Sequence, residues 1–267
     1  MIFIYDGTFE GFLSAVFDAY EMKIEPTDIV SSNNVQMNFD SNHTVKTTEE
    51  KSDRVMAGME RYGFANIVIF AFLSCCENKE IAIYKYIVMG FKMKDKILQN
   101  LGDDIVCKVN SMCSLTGNEK VKLKGFIRFS ILEENNIHYA EISPKHNVLT
   151  LIMPHFTRRI STIPFLINDL TYKQVGLYDT KEWHIRSSEG LAVLELRSDE
   201  LNVRQAWKLF YDTIAVENRI NKKRRQQMMP KRYHKHITEM TEKPFSEENV
   251  KSTAVEINSI TNLMMLK

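Results

Sequence analysis

The sequence carries few of the patterns that announce an activity. It has no GxSxG, Walker, GxGxxG or HExxH motif, so the common signatures of acyl transfer, nucleotide hydrolysis, dinucleotide binding and zinc proteolysis are absent. Its four cysteines, Cys75, Cys76, Cys107 and Cys113, form no CxxC and stand at no zinc spacing from a histidine. Reduced thiols in a cytoplasmic protein account for them. A disulfide or metal cluster is the alternative, with the adjacency of Cys75 and Cys76 its weakest point. No metal and no cofactor are expected. The longest strongly apolar stretch, residues 67–76, is too short to span a bilayer and runs into Glu77 and Lys79, so no membrane partner is expected. No basic segment precedes the apolar start and Asp6 interrupts it, so no secretory signal is expected. Internal repeats and low-complexity segments are missing too. So is a global charge: the formal balance is only +1.

What remains is an ordinary globular composition, 44% hydrophobic and 26% charged over 267 residues, enough for a sizeable core. Its charge is unevenly placed. Between Arg204 and His236 ten basic residues face two acidic ones, a local balance of +8 that leaves −7 for the rest. Such asymmetry points to an anionic partner.

Residues 1–5 read as a strand. Phe9, Phe12, Leu13, Val16, Phe17 and Tyr20 then repeat at helical spacing, up to Pro26. A small hairpin is expected from residues 28–31 and 35–39, then a helix capped at Thr47-Thr48 and running to about Arg61. Further helices are expected over 65–76, 79–100 and 103–118. From Leu123 the period changes. GFIRFSIL, IHYAEISP, VLTLIMP, PFLIND and the TYKQVGLYD/KEWHIR pair read as strands of an antiparallel sheet. After Ser198 the pattern is helical again. The expectation is an α+β fold with one domain over 1–241. Residues 1–120 would be its mainly helical half, 121–200 an antiparallel sheet of about five strands, and 201–241 basic helices. Residues 242–267 would be a polar, loosely ordered tail.

Three stretches carry chemistry. In YDGTFEGF, Asp6 and Thr8 are good N-caps, Gly7 permits the turn, and Glu10 suits a first helical turn. That account needs no catalysis, yet Asp6 could instead be a general acid/base at a strand end. The C-terminal run places Arg219, Lys222, Lys223, Arg224, Arg225, Lys231, Arg232 and Lys235 among Tyr233 and His234. Charge, fork-shaped donors and aromatic surfaces suit phosphate contact with base stacking. A solvated face, or arginines paired with acids of the same chain, is the alternative. Finally, His155, Arg158 and Arg159 in PHFTRR could grip a phosphate, with Asp169 close enough to couple to His155; a satisfied junction histidine would serve as well.

Together, YDGTFEGFLSAVF, LKGFIRF, YAEISPKHNVL leading into PHFTRR, and IAVENRIN with QQMMPKRYHKHITE resemble a bacterial family of unknown function linked to DNA metabolism. Its members are encoded beside a DNA-modification or repair radical SAM protein, and some are fused to a uracil-DNA-glycosylase-like domain. The resemblance covers roughly residues 1–240. It marks Asp6, Gly11, Arg128, Phe129, His155, Arg159, Asp169, Arg219, Asn221, Arg232 and Tyr233, while the family's histidines near Val121 and Cys107 are missing. It implies a DNA-binding accessory or processing factor acting with a radical SAM or glycosylase-like partner. Whether the chain is itself an enzyme stays open. One alternative is a nucleic-acid hydrolase using Asp6, His155 and Asp169; another is a protein-binding adaptor.

Overall fold

In a computed structural model, which describes residues 1–32, 41–132, 137–189, 197, 199–216 and 221–240, the chain forms two compact units, Met1–Asn118 and a second beginning at Glu119. The expected α+β class holds. The expected polar tail, Arg219 and the second half of the expected early hairpin lie outside the described residues.

The first unit opens with β1 (Ile2–Tyr5), which feeds α1 (Phe9–Met22). Strands β2 (Asp28–Ser31) and β3 (Asn42–Thr44) both pair with β1 in parallel, giving the order β2-β1-β3. Thus 28–31 joins β1. Helices α2 (Glu49–Arg61), α3 (Ala65–Phe72), α4 (Lys79–Met93) and α5 (Asp104–Phe126) follow the helical expectations, although α5 continues eight residues past 118. The apolar face of α1 meets α3 through ring contacts: Phe12 lies 5.5 Å from Phe72, and Phe9 5.1 Å from it.

The second unit contains β4 (Ser130–Ile131), β5 (His138–Ile142), α6 (Leu149–Arg159), β6 (Phe165–Asp169), β7 (Gln174–Tyr178) and β8 (Trp183–Ser187). The five strands run in spatial order β4-β5-β6-β7-β8, the expected number. Two features differ from expectation. VLTLIMP is helical: Leu149, Ile152, Met153 and Phe156 are buried at i, i+3, i+4 and i+7, a periodicity only one helix face satisfies. Because α6 is a crossover, β5 and β6 pair in parallel while the other neighbours are antiparallel. A crossover of this length is what parallel neighbours require. Met153 lies over Gly176, where a Cβ would collide with its sulfur. GFIRFSIL is also mostly not strand, since its first residues end α5 and only Ser130–Ile131 pair.

Helix α7 (Glu200–Ile214) and α8 (Lys222–Met228) come next, then 3-10 turns at Lys231–His236 and Thr238–Met240. Tyr233 and Ile237 of that last segment are buried in the same core as Ile142, Val148 and Phe156.

Candidate nucleic-acid interface

Asp6 is a turn anchor of the first unit. Its Oδ1 accepts from the Thr8 amide (2.9 Å) and hydroxyl (2.6 Å), and its Oδ2 from the Thr47 hydroxyl (2.8 Å). Thr8 in turn caps α1 by accepting from the Gly11 amide. Burial works against the charge, but these hydrogen bonds hold the Asp6 carboxyl below its ordinary value. A Cβ on residue 11 would strike Asp6 Oδ1, which explains Gly11 one turn along. Both carboxylate oxygens have partners, which matches the capping reading.

In the second unit, the basic residues fall into two sets. The first set is neutralised. Arg232 donates to Glu119 (3.1 Å) and stacks over Tyr233, with its guanidinium carbon 4.7 Å from the ring centre. Arg128 pairs with Glu239 (2.7 Å) and Arg204 with Glu200 (3.0 Å). Glu119 is the hub: its carboxylate also accepts from the Lys145 and His146 amides (2.8 and 2.6 Å) and from the Tyr233 hydroxyl (2.5 Å). Tyr233 is 1% exposed, so the expectation that it stacks on a base is overturned. The ring is closed in the core, and burial with the Glu119 hydrogen bond pushes its hydroxyl pKa up. His234 is satisfied by the Met229 carbonyl (3.1 Å).

The second set has no carboxylate partner among the described residues: Lys124, His155, Arg158 and Arg159, and likewise Lys222, Lys223, Arg224 and Arg225. The α8 residues are exposed on one short helix, which Asn221 caps by accepting from the Arg224 amide. Lys231 and Lys235 are exposed beyond it. Around the end of α6 the cations repel one another. His155 is pushed below its ordinary pKa by partial burial and by Lys124, Arg159 and Arg158. Lys120 is depressed by burial, Lys124 and Arg158.

Asp169 does not complete an acid–histidine couple. Among the described residues no hydrogen bond or ion pair joins it to His155, whose ring rests edge-on to Phe156. Asp169 is fully buried, its Oδ1 accepting from the Thr171 and Tyr172 amides and its Oδ2 without a hydrogen-bond partner among the described residues. Burial raises its pKa to about 6, against those amide bonds, and the charge on Glu119 adds to the rise.

Beside the unmatched cations lies a cleft of about 550 Å³. Lys124, Arg128, Phe129, Phe156, Arg159, Arg204 and Trp207 contribute to its walls. Sequence reasoning singled out none of Lys124, Arg204 and Trp207 as site residues: Lys124 is one lysine inside LKGFIRF, Arg204 stands at the very edge of the basic stretch, and Trp207 reads as part of the apolar face of a helix. It also missed Glu119, although a signal exists: Met112, Thr116, Glu119 and Leu123 are buried at i, i+4, i+7 and i+11 of α5. A lone carboxylate on such a stripe marks a buried polar hub.

Among the described residues no helix is long and apolar enough to cross a membrane. No curated protein and no solved structure matches the chain. A family model described as a domain of unknown function, DUF4130, matches residues 77–239, more than half of the chain, and the protein belongs to that family.

Proposed function

We propose that this protein is a DNA-binding accessory or processing factor in DNA repair or modification. The observation that carries the reading is the group around the end of α6: Lys124, Arg158 and Arg159 crowd His155 with no carboxylate among them. A cluster of cations with no carboxylate among them offers its charge to an arriving anion. A polyphosphate backbone supplies several anions at once and releases its counterions on binding. The exposed cations of α8 extend the same chemistry. A radical SAM or glycosylase-like partner, implied by the sequence resemblance, would supply the bond-breaking step. The hydrolase alternative draws less support, since Asp6 is committed to a turn and Asp169 is sealed in the core.

The test is fluorescence anisotropy with labelled duplex and single-stranded DNA between 50 and 300 mM salt. Binding should weaken steeply with salt. The double substitution K124A/R159A should weaken it further and flatten the log–log slope by roughly 1.5 to 2. Absence of binding at low salt would refute the reading.

A further inference from the structure

We infer that the cleft bounded by the end of α5, α6 and α7 captures an unpaired nucleotide, its base against Trp207 and Phe129 and its phosphate on Lys124 and Arg159. The inference rests on the DNA-binding reading and narrows it from backbone contact to a single-stranded substrate.

Four observations converge. The cleft, about 550 Å³, falls within the range of small-ligand sites, roughly 300–1,000 Å³. It is too small for a duplex. Second, its charges sort cleanly. Arg128 and Arg204 are held by Glu239 and Glu200, while Lys124 and Arg159 have no such partner among the described residues and remain for a phosphate. Third, Trp207 is presented and held: it is 43% exposed, its ring lies 5.7 Å from that of Phe210, and its Nε1 donates to Glu239 Oε2 at 3.1 Å. Glu239, with only 6% of its side chain exposed, also receives Arg128 at 2.7 Å. An exposed indole with its edge tied to an anchored carboxylate keeps its face at little rotamer cost. Fourth, Phe129 is immobilised edge-on against Phe156 and Phe165, at 5.3 and 5.5 Å, so a second aromatic wall is already ordered.

Aromatic faces with unmatched cations are what a nucleotide requires. Every base has a π-face, so such stacking tolerates any sequence. A duplex base is already stacked and paired and would have to leave the helix to enter. An acidic peptide would satisfy the cations but has no planar surface matching the two rings.

Trp183 and Trp207 are the two tryptophans of the chain, so Trp183→Phe leaves Trp207 as the sole indole reporter. On that background, a short oligothymidylate should quench Trp207 emission at the concentrations where anisotropy reports binding. The same oligonucleotide with abasic sites keeps every phosphate; it should bind roughly tenfold more weakly and leave the emission unchanged. Blunt duplex should also bind without quenching. Trp207→Leu should cost single-stranded binding roughly tenfold while sparing duplex binding. Oligothymidylate binding with no change in Trp207 emission would overturn the inference and leave the DNA-binding reading standing. Quenching of Trp207 by an acidic peptide, with none by oligothymidylate, would overturn it equally. No binding of any DNA at low salt would overturn both.

Discussion

Replacing Asp169 by asparagine should stabilise the second unit, and only at neutral and alkaline pH. Asp169 is fully buried, and its pKa is raised to about 6 by burial and by the Glu119 charge. In the unfolded chain a free aspartate titrates near about 3.9. The folded state therefore binds the proton more tightly, so stability falls as pH rises from about 4 to 6, and the whole penalty is present above 6. A difference of about two pH units corresponds to about 3 kcal/mol. Asparagine keeps the Oδ1 acceptor used by the Thr171 and Tyr172 amides, and changes the partnerless Oδ2 into an uncharged donor. Allowing about 1 kcal/mol at every pH for imperfect pairing of that donor, D169N should gain about 2 kcal/mol at pH 8 and lose up to about 1 kcal/mol near pH 4. His236 shifts the opposite way, lowered to about 4 chiefly by burial, so it costs stability as pH falls from 6.5. It is common to both proteins and cancels in the difference. Urea unfolding followed by tryptophan fluorescence is a suitable assay, because Trp183 and Trp207 both belong to the second unit. A midpoint shift of about 1 M is expected at pH 8. A less stable D169N at pH 8, or an equal gain at both pH values, would refute the electrostatic reasoning.

Glu119→Ala removes one side chain and strands four donors, the Lys145 and His146 amides, Tyr233 and Arg232. It should cost about 3–5 kcal/mol of second-unit stability by the same urea assay. In the first unit, Gly11→Ala should cost about 1–3 kcal/mol by thermal unfolding, because its Cβ collides with Asp6. Asp6→Ala should cost about 1 kcal/mol, through the lost turn and cap contacts. Adding Asp6→Ala to Gly11→Ala should recover part of the loss, since the collision with the carboxylate disappears while the close contact with the Thr47 hydroxyl stays.

The early elements were readable because their periodicity and punctuation agree. The α1 stripe from Phe9 to Phe17 begins at a Thr cap, although Tyr20, expected on the same face, is exposed, and both β7 and β8 flank the Asp179 turn. Residues 148–153 misled because an apolar run ahead of a proline matches a buried strand as well as a helix. Only when His155-Phe156 is included does the 3.6 period emerge. The parallel β5–β6 pairing followed that one error. The site was harder to read because ion pairing is a tertiary property. Sequence placed Arg232 and Tyr233 beside Arg224 and Arg225 as equals. In the fold, a carboxylate more than a hundred positions away pairs with Arg232 and the buried Tyr233 and leaves Arg224 and Arg225 without such a partner among the described residues. Trp207 carried no local signal, since an apolar residue on an amphipathic helix ordinarily faces a core.

The Glu119 hub also bears on biosynthesis. Tyr233 lies 114 positions downstream of Glu119 and well beyond Ser187, where the last strand among the described residues ends. The chain emerges at roughly 5–20 residues per second. For on the order of several seconds, therefore, all five strands of the second sheet exist without the residue that closes the core beneath them. The first unit meets a wait of its own, earlier: β1, β2 and β3 are complete by Thr44, and Val109 and Met112 of the same core follow from α5. Folding on the ribosome should be staggered, with the second unit last and dependent on its final turns. Any truncation that removes the Lys231–His236 segment should leave a first unit that folds and a second that a protease can digest.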